Sequence, residues 1–428
     1  MSDWICANTL LRGKPFSFNR YPFQRRIADD MHPDLVCKKC SQVGLTEVQI
    51  RKLAAFLVRN RGTSGIYTMP DVKMFRRVSK ARIQPLIEKN KVFNTPEDAN
   101  SVRSMDLIQL QSSFLYVTAS TEGDATSINA DIVFNDEVDL TDQQMLSLFQ
   151  SRLQNSDWKI KQQFSTPTFT GFGIDASYNL SDQHEYMVKC DACNHWQVPD
   201  FEPRFVHIPG LPTHIDNLEE IDEQLALELD LEGAYVCCER CRAPLDLGRE
   251  DNREWVPKFP GRSVRGYQVR PFSGSRISIQ YIVKQLIEYK RLNYIRGWYN
   301  TVLGKSHTDS NVRLSEVDID NCFKEETVPQ LGKWDPVFVG IDFGQTCHLV
   351  LGTPTPMGDC RPFYFETIHV NNLIERIKEI CSIYNGVSGA CDRHPYTPTA
   401  EAVFEASGKK IWPVEYKGTQ PLNIVKDI

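Results

Sequence analysis

A chain of 428 residues exceeds the usual size of one compact domain, so two or three domains are expected. Hydrophobic residues at 41% and charged residues at 24% exclude wholesale disorder. The 49 Lys plus Arg against 55 Asp plus Glu give a net charge of −6, which excludes gripping nucleic acid by bulk positive charge but not by a local basic groove.

Neither a run of about 18 apolar residues nor a basic-then-apolar N-terminus occurs. No membrane span and no secretory signal are therefore expected, and the 13 cysteines are expected to lie in a reducing cytoplasm.

From about 35 to 170 short apolar runs alternate with helical ones, the pattern of an α/β fold with a parallel sheet. Leu35-Val36-Cys37 reads as a strand, 47–60 as a helix, 65–70 as a strand and 72–90 as a helix. Further strands are expected at 115–118 and 132–134. Between the first strand and first helix lies Lys39-Cys40-Ser41-Gln42-Val43-Gly44-Leu45-Thr46. Set against G-x-x-x-x-G-K-[ST], Gly44 and Thr46 match, Leu45 holds the Lys position and Lys39 the first Gly. Such a loop cradles phosphate with backbone N–H groups at a helix N-terminus, so the anion hole does not depend on one side chain. Thr46 supplies a hydroxyl for Mg²⁺, and Lys39, at the start of a curled loop, points back towards the β/γ oxygens in place of the missing Lys. A plain turn before an amphipathic helix would read similarly.

The next acidic strand end favours the functional reading. Ile132-Val133-Phe134-Asn135-Asp136-Glu137 is an apolar strand followed by two carboxylates: Asp136 to hold hydrated Mg²⁺, Glu137 to orient the attacking water. Phe164-Ser165-Thr166-Pro167-Thr168 then ends a strand where a γ-phosphate would be sensed.

Chance gives about 0.4 C-x-x-C pairs at this cysteine content; three occur. Cys37/Cys40 flank the phosphate loop and read as small side chains in a tight turn, with a redox switch as the alternative. Cys190/Cys193 and Cys238/Cys241, with 44 residues between the knuckles, suit a closed tetrahedral Zn²⁺ site in an inserted subdomain. Cys237 is an alternative ligand, and His195 a poorer one. A helical stretch at 275–303 and a turn-rich connector at 305–312 follow.

These motifs resemble the large terminase subunit of tailed phages, of the lambda type: the loop with its displaced Lys39, Asp136-Glu137, Ser165-Thr166-Pro167, and Trp298-Tyr299-Asn300-Thr301-Val302-Leu303-Gly304, similar to an Asn-Thr-x-Leu-Gly signature. The resemblance runs from about residue 20 to the end. It implies an ATP-driven packaging motor for double-stranded DNA with a nuclease domain that cuts concatemers, partnered by a small terminase subunit and the procapsid portal. It further implies a ring when packaging, a possible monomer when free, and work in the host cytoplasm. Lys39, Ser41, Gln42, Gly44, Thr46 and Asp136 would bind ATP and Mg²⁺, with Lys39 and Glu137 catalytic. Tyr21-Pro22-Phe23-Gln24 falls where adenine is bound, and Arg76, Arg77, Arg82 and Arg152 remain open as charge-stabilising groups.

The second α/β unit opens at 337–342 and resembles a ribonuclease-H-like nuclease: three strands, a helix (373–384), and a strand delivering a second acid. Asp342 and Asp392 are the expected catalytic ligands of two Mg²⁺ or Mn²⁺ ions. The resemblance places a third acid on a later helix, while the sequence stops at Lys426-Asp427-Ile428, so an incomplete nuclease is expected, with Asp427 or Glu366 as weak substitutes. The expected organisation is a P-loop ATPase at 1–185, a zinc-ribbon-like insertion at 186–250, a helical connector or lid at 251–330 and the nuclease at 331–428. A helicase-like repair ATPase, or a non-catalytic zinc-ribbon adaptor in which Leu45 means a dead nucleotide site, are the alternative readings.

Overall fold

The computed structural model describes residues 1–93, 101–121, 123, 128–308, 331–355, 359–394 and 396–415. The chain divides into two compact units, Met1–Leu314 and Ser315–Ile428. Asp427 lies outside the described residues, as do parts of the expected connector (309–312).

The first unit begins with a helix, Ser2–Asn8, followed by a hairpin, β1 (Leu10–Leu11) and β2 (Lys14–Pro15), whose turn carries Arg12 and Gly13 at positive φ. The ten-stranded sheet then collects β3 (Asp34–Lys39), β4 (Ser64–Met69), β5 (Leu107–Leu110), β6 (Ser113–Ala119), β7 (Ile132–Asp136), β8 (Ile160–Ser165), β9 (His184–Lys189) and β10 (Trp196–Gln197). A separate pair, β11 (Val206–His207) with β12 (Tyr235–Val236), precedes the last two members of the sheet, β13 (Arg253–Pro257) and β14 (Arg265–Val269). The order is β10-β9-β14-β3-β8-β7-β4-β6-β5, with β13 also on β9. From β9 to β6 every neighbour is parallel. Parallel strands are covered on both faces, which is why Leu35-Val36-Cys37 and Ile132-Val133-Phe134 read as continuous apolar runs and are buried.

This order fixes the geometry of one sheet edge. β8 separates β3 from β7, with Lys38 opposite Ser165 and Asp136 opposite Phe164. The ends of the three motif-bearing strands therefore emerge side by side.

Two expectations change. Residues 72–90 do not form one helix: Val72–Val78 and Gln84–Lys89 flank a wide π turn at Ser79–Ile83. Pro85, lacking an N–H, sits in the first turn of the second segment. The stretch 251–330, read as a helical connector, supplies β13 and β14 before its helix Ile279–Arg291, and residue 186 falls inside β9 rather than at an edge. Arg265–Val269 pairs with the phosphate-loop strand along its length. Short strands interrupted by polar residues carry little periodicity, so only pairing reveals them.

The second unit contains β15 (Pro336–Asp342), β16 (Thr346–Pro354) and β17 (Cys360–His369) as an antiparallel meander. The helix Leu373–Ile383 crosses to β18 (Gly386–Asp392), parallel to β15, and the helix Thr397–Ala406 leads to β19 (Ile411–Val414), parallel to β18. The order β17-β16-β15-β18-β19 buries Val337, Val339 and Ile341 against Leu373, Ile377 and Ile380. The expected three strands, helix and strand are present; the second helix and β19 extend them.

Beneath the phosphate loop, Lys52 is wholly buried and donates to the carbonyls of Ile27 and Asp30 and to Oε1 of Gln162, tying two helices to β8. Burial pushes its ammonium down to about 7. A base with a lowered folded pKa binds fewer protons folded than unfolded between that value and its ordinary one. Lys52 therefore makes stability rise with pH from about 7 to about 10, by up to about 1.4 kcal/mol per pH unit. Urea unfolding at pH 7 and pH 9 is expected to show this increment in the wild type and to lose it in Lys52→Met; equal slopes would count against the assignment.

Candidate functional site

The strand ends of β3 and β7 open onto a cavity of about 790 Å³, lined by the loop 41–46, Lys39, Glu137, Tyr21, Arg82 and the β1–β2 hairpin. Consecutive strand residues point to opposite faces. Lys38 accordingly turns to a buried pair with Asp175 (2.9 Å), and Lys39 turns to the cavity, where its Nζ donates to Oε1 of Glu137 at 2.8 Å. The loop needs left-handed backbone at Gln42 (φ 60°) and Gly44 (φ 73°). At Gly44 a Cβ would also lie 2.9 Å from the Gln24 amide nitrogen, which donates to the Val43 carbonyl. Only glycine meets both demands without strain.

Thr46 Oγ1 donates to Oδ2 of Asp136 at 2.9 Å, and the Tyr67 hydroxyl donates to the same oxygen at 2.7 Å. Glu137 has φ 52°, a conformation that costs a non-glycine residue roughly 1–3 kcal/mol and persists only where surroundings impose it. The turn directs its carboxylate back across the edge: Oε1 to Lys39, and Oε2 to the Thr166 N–H (3.3 Å) and the hydroxyls of Thr166 and Ser165 (3.4 Å each). Burial and the adjoining Glu137 charge raise the pKa of Asp136, opposed by Lys39 and by the Tyr67 and Thr46 hydroxyls. For Glu137, Lys39 and the Thr166 donors outweigh the desolvation of burial and hold the carboxyl below its usual range.

The structure thus brings together Lys39, Ser41, Gln42, Gly44, Thr46, Asp136 and Glu137, as well as Ser165 and Thr166. Arg82 is the one member of the arginine set that lines this cavity, 3.7 Å from Glu47. Arg76 and Arg77 are exposed, away from its lining. Arg152 is at the far edge, its carbonyl accepting from Ala130, ahead of β7. Arg12, Lys14 and Arg20 on the rim, and Tyr67 behind Asp136, carried no motif and were missed. Cys37 and Cys40 are fully buried and their thiols are pushed up to about 12 by that burial, which fits small packed side chains rather than a reactive pair.

The sulfurs of Cys190, Cys193, Cys238 and Cys241 lie within 4.8 Å of one another. Cys190 and Cys241 are 3.7 Å apart, Cys193 and Cys238 3.6 Å. A tetrahedron with Zn–S of about 2.3 Å has edges of about 3.8 Å, so the donor set fits zinc in chemistry and span. Two equivalent knuckles build it. Asn194 (φ 59°) and Arg242 (φ 62°) follow the second cysteine of each, and their amides donate to Cys190 and Cys238 carbonyls. The alternatives fall away: Cys237 Sγ turns to the Arg204 carbonyl, and His195 pairs with Glu239 at 3.0 Å.

In the second unit, β15 and β18 end together, Ile341 opposite Cys391, which sets Asp342 beside Asp392. Desolvation and the facing Asp342 carboxylate raise the pKa of Asp392. Among the described residues these two converge without a third metal-ligating side chain. Glu366 is taken by Arg376 at 2.8 Å. Glu415 follows Val414, the register partner of Asp392, at the same edge, and lies 3.7 Å from His394; no pattern in the sequence marked it.

A family model described as phage terminase large subunit gpA, ATPase domain, matches residues 12–255, more than half of the chain. Among solved structures, the large terminase of bacteriophage HK97 is similar at 12% identity and TM-score 0.46, covering 98% of this chain and 84% of that one. The large terminase of a thermophilic bacteriophage is similar at 11% identity and TM-score 0.36, covering 92% and 79%. The ATPase domain of the Thermus phage P74-26 large terminase is similar at 11% identity and TM-score 0.35, covering 69% and 94%. No curated protein matches.

Proposed function

The chain belongs to the phage terminase large subunit gpA family, and from that premise we propose that its first unit hydrolyses ATP at the β3–β7–β8 edge to drive double-stranded DNA into a procapsid. The observation that carries the reading is that Lys39, Thr46 and Glu137 line one cavity and are joined, with Asp136 and Thr166 behind them, by hydrogen bonds of 2.8–3.4 Å.

The loop amides and Lys39 bind the β/γ phosphates, and Leu45 is no obstacle because the cation comes from the opposite end of the loop. Thr46 and Asp136 would hold Mg²⁺, which when bound neutralises phosphate charge. Glu137 accepts a hydrogen bond from the attacking water and orients it in line, while Thr166 fixes that carboxylate. Tyr21 supplies an aromatic face for adenine, and Arg82 reaches the phosphate end. The described helices include none long and apolar enough to cross a membrane, and we assign the chain to the host cytoplasm, with the portal and small subunit as partners. In Lys39→Ala, DNA-stimulated ATP hydrolysis is expected to fall by about 10²-fold or more; activity equal to wild type would remove the displaced-lysine assignment.

The four cysteines form a structural zinc site. Elemental analysis is expected to find one zinc per chain, reduced in Cys193→Ser, and chelation is expected to lower the melting temperature; a folded, metal-free wild type would refute it.

The second unit we read as a ribonuclease-H-like nuclease, supported by its β17-β16-β15-β18-β19 order and by the adjacent strand-terminal acids, with Asp342 and Asp392 as its Mg²⁺ or Mn²⁺ ligands and DNA concatemers as substrate. Plasmid cleavage with Mn²⁺ is expected to vanish in Asp342→Asn, and full-rate cleavage by that variant would show the metal lies elsewhere.

A further inference from the structure

The helix Ile279–Arg291 anchors the segment that follows it. Trp298 is buried and its Nε1 donates to the Ile282 carbonyl at 3.1 Å, while Thr301 Oγ1 bonds the Gly297 carbonyl at 2.6 Å and lies 3.1 Å from the Tyr289 hydroxyl. From this base the main chain reaches the phosphate loop. The Thr301 carbonyl accepts from the Ser41 N–H at 2.8 Å, and the Val269 carbonyl of β14 accepts from Cys40 N–H at 3.0 Å. Gly304, at φ 68°, packs directly on the loop stem: a Cβ there would lie 2.5 Å from the Cys40 nitrogen and 2.9 Å from the Lys39 carbonyl carbon.

Three residues later the same segment grips the loop that follows β8. The His307 N–H donates to the Thr168 carbonyl at 3.1 Å, and Thr308 Oγ1 accepts from the Thr170 N–H at 3.3 Å. Thr168 also donates to Asp139 through its N–H and hydroxyl (2.7 and 2.8 Å), and two residues before it Thr166 holds Glu137. The His307 ring stacks flat on Tyr299, 4.2 Å between centroids, and so returns to the anchored base.

We infer that Gly304 and His307 are positioning residues for hydrolysis, the two jaws of a clasp at 298–308 that sets the spacing between the phosphate loop and the Ser165–Thr168 loop. The inference rests on the ATPase reading. It assigns the jaws separate jobs: Gly304 keeps Lys39 and the loop amides where phosphate binds, and His307 keeps Thr166 where it aims Glu137.

The test uses the full chain and steady-state ATP hydrolysis with DNA present. Gly304→Ala drives a Cβ into the loop stem and is expected to raise KM about tenfold or more. His307→Pro deletes the donor to Thr168 and is expected to lower kcat by about 10²-fold with KM within about twofold, since small misplacement of a reacting group costs that much. His307→Ala retains the N–H but loses the stack on Tyr299, and is expected to lower kcat clearly less than His307→Pro does, with KM again within about twofold. Unchanged KM and kcat in Gly304→Ala and His307→Pro, beside an inactive Lys39→Ala, would overturn the clasp while leaving the ATPase reading intact. So would the same loss of kcat in all three variants with a lowered melting temperature, which marks mere unfolding. An inactive wild type would fell the ATPase reading, and the clasp with it.

Discussion

The Lys39–Glu137 ion pair joins two loops that are 98 residues apart in sequence, and the arrangement of the site follows from it. Two carboxylates, Asp136 at the end of β7 and Glu137 just after it, sit side by side, the first buried and the second mostly so. Adjacent buried charges of one sign are costly unless a cation and hydrogen-bond donors face them. Lys39 provides the cation; Tyr67, Thr46, Ser165 and Thr166 provide the donors. Lys39 is also the amine proposed to meet phosphate, so on that reading charge neutrality of the fold and recognition of the ligand draw on a single cation. In its left-handed conformation Glu137 turns its carboxylate both to Lys39 and to Thr166, contacts that offset the backbone strain.

A second charged network lies on the other side of β3. Lys38 meets Asp175, and Arg270, just past the end of β14, is held by Glu185 and Asp200 at 2.7 Å each, with Lys305 also on Asp200 at 2.9 Å. Against the desolvation of burial, Arg270 and Lys305 keep the Asp200 carboxyl below its usual range. Asp200 belongs to the stretch between the cysteine knuckles, so this network locks that stretch onto the sheet beside the phosphate-loop strand. The cysteine cluster starts from β9, a strand of the same sheet, and is better described as an elaboration between β8 and β14 than as a separate body.

The second unit is built on another economy. Its two acids end adjacent parallel strands, β15 and β18, which requires the crossover helix Leu373–Ile383 that also supplies the core beneath them. Burying one face thus brings Asp342 and Asp392 together without further design.

The amino-acid sequence determined what local chemistry can determine. Apolar runs ending in Lys39, Asp136 and Ser165 marked the strands and their functional ends, paired cysteines marked the cluster, and Asp342 and Asp392 stood out as strand-terminal acids. Lys39 followed from loop spacing, and the pleat of β3 sends it to the cavity while Lys38 turns to the opposite face. Tertiary structure alone supplied Tyr67, whose hydroxyl matters only because β4 lies beside β7, and the return of Arg265–Val269 to the centre of the sheet. It alone set Arg82, of four arginines, on the cavity lining, and Gly304 against a backbone some 260 residues away. Side-chain type and short-range spacing are written along the chain. Which strand lies beside which is settled by the packing of the whole sheet, and everything that depends on neighbours across it waits for that packing.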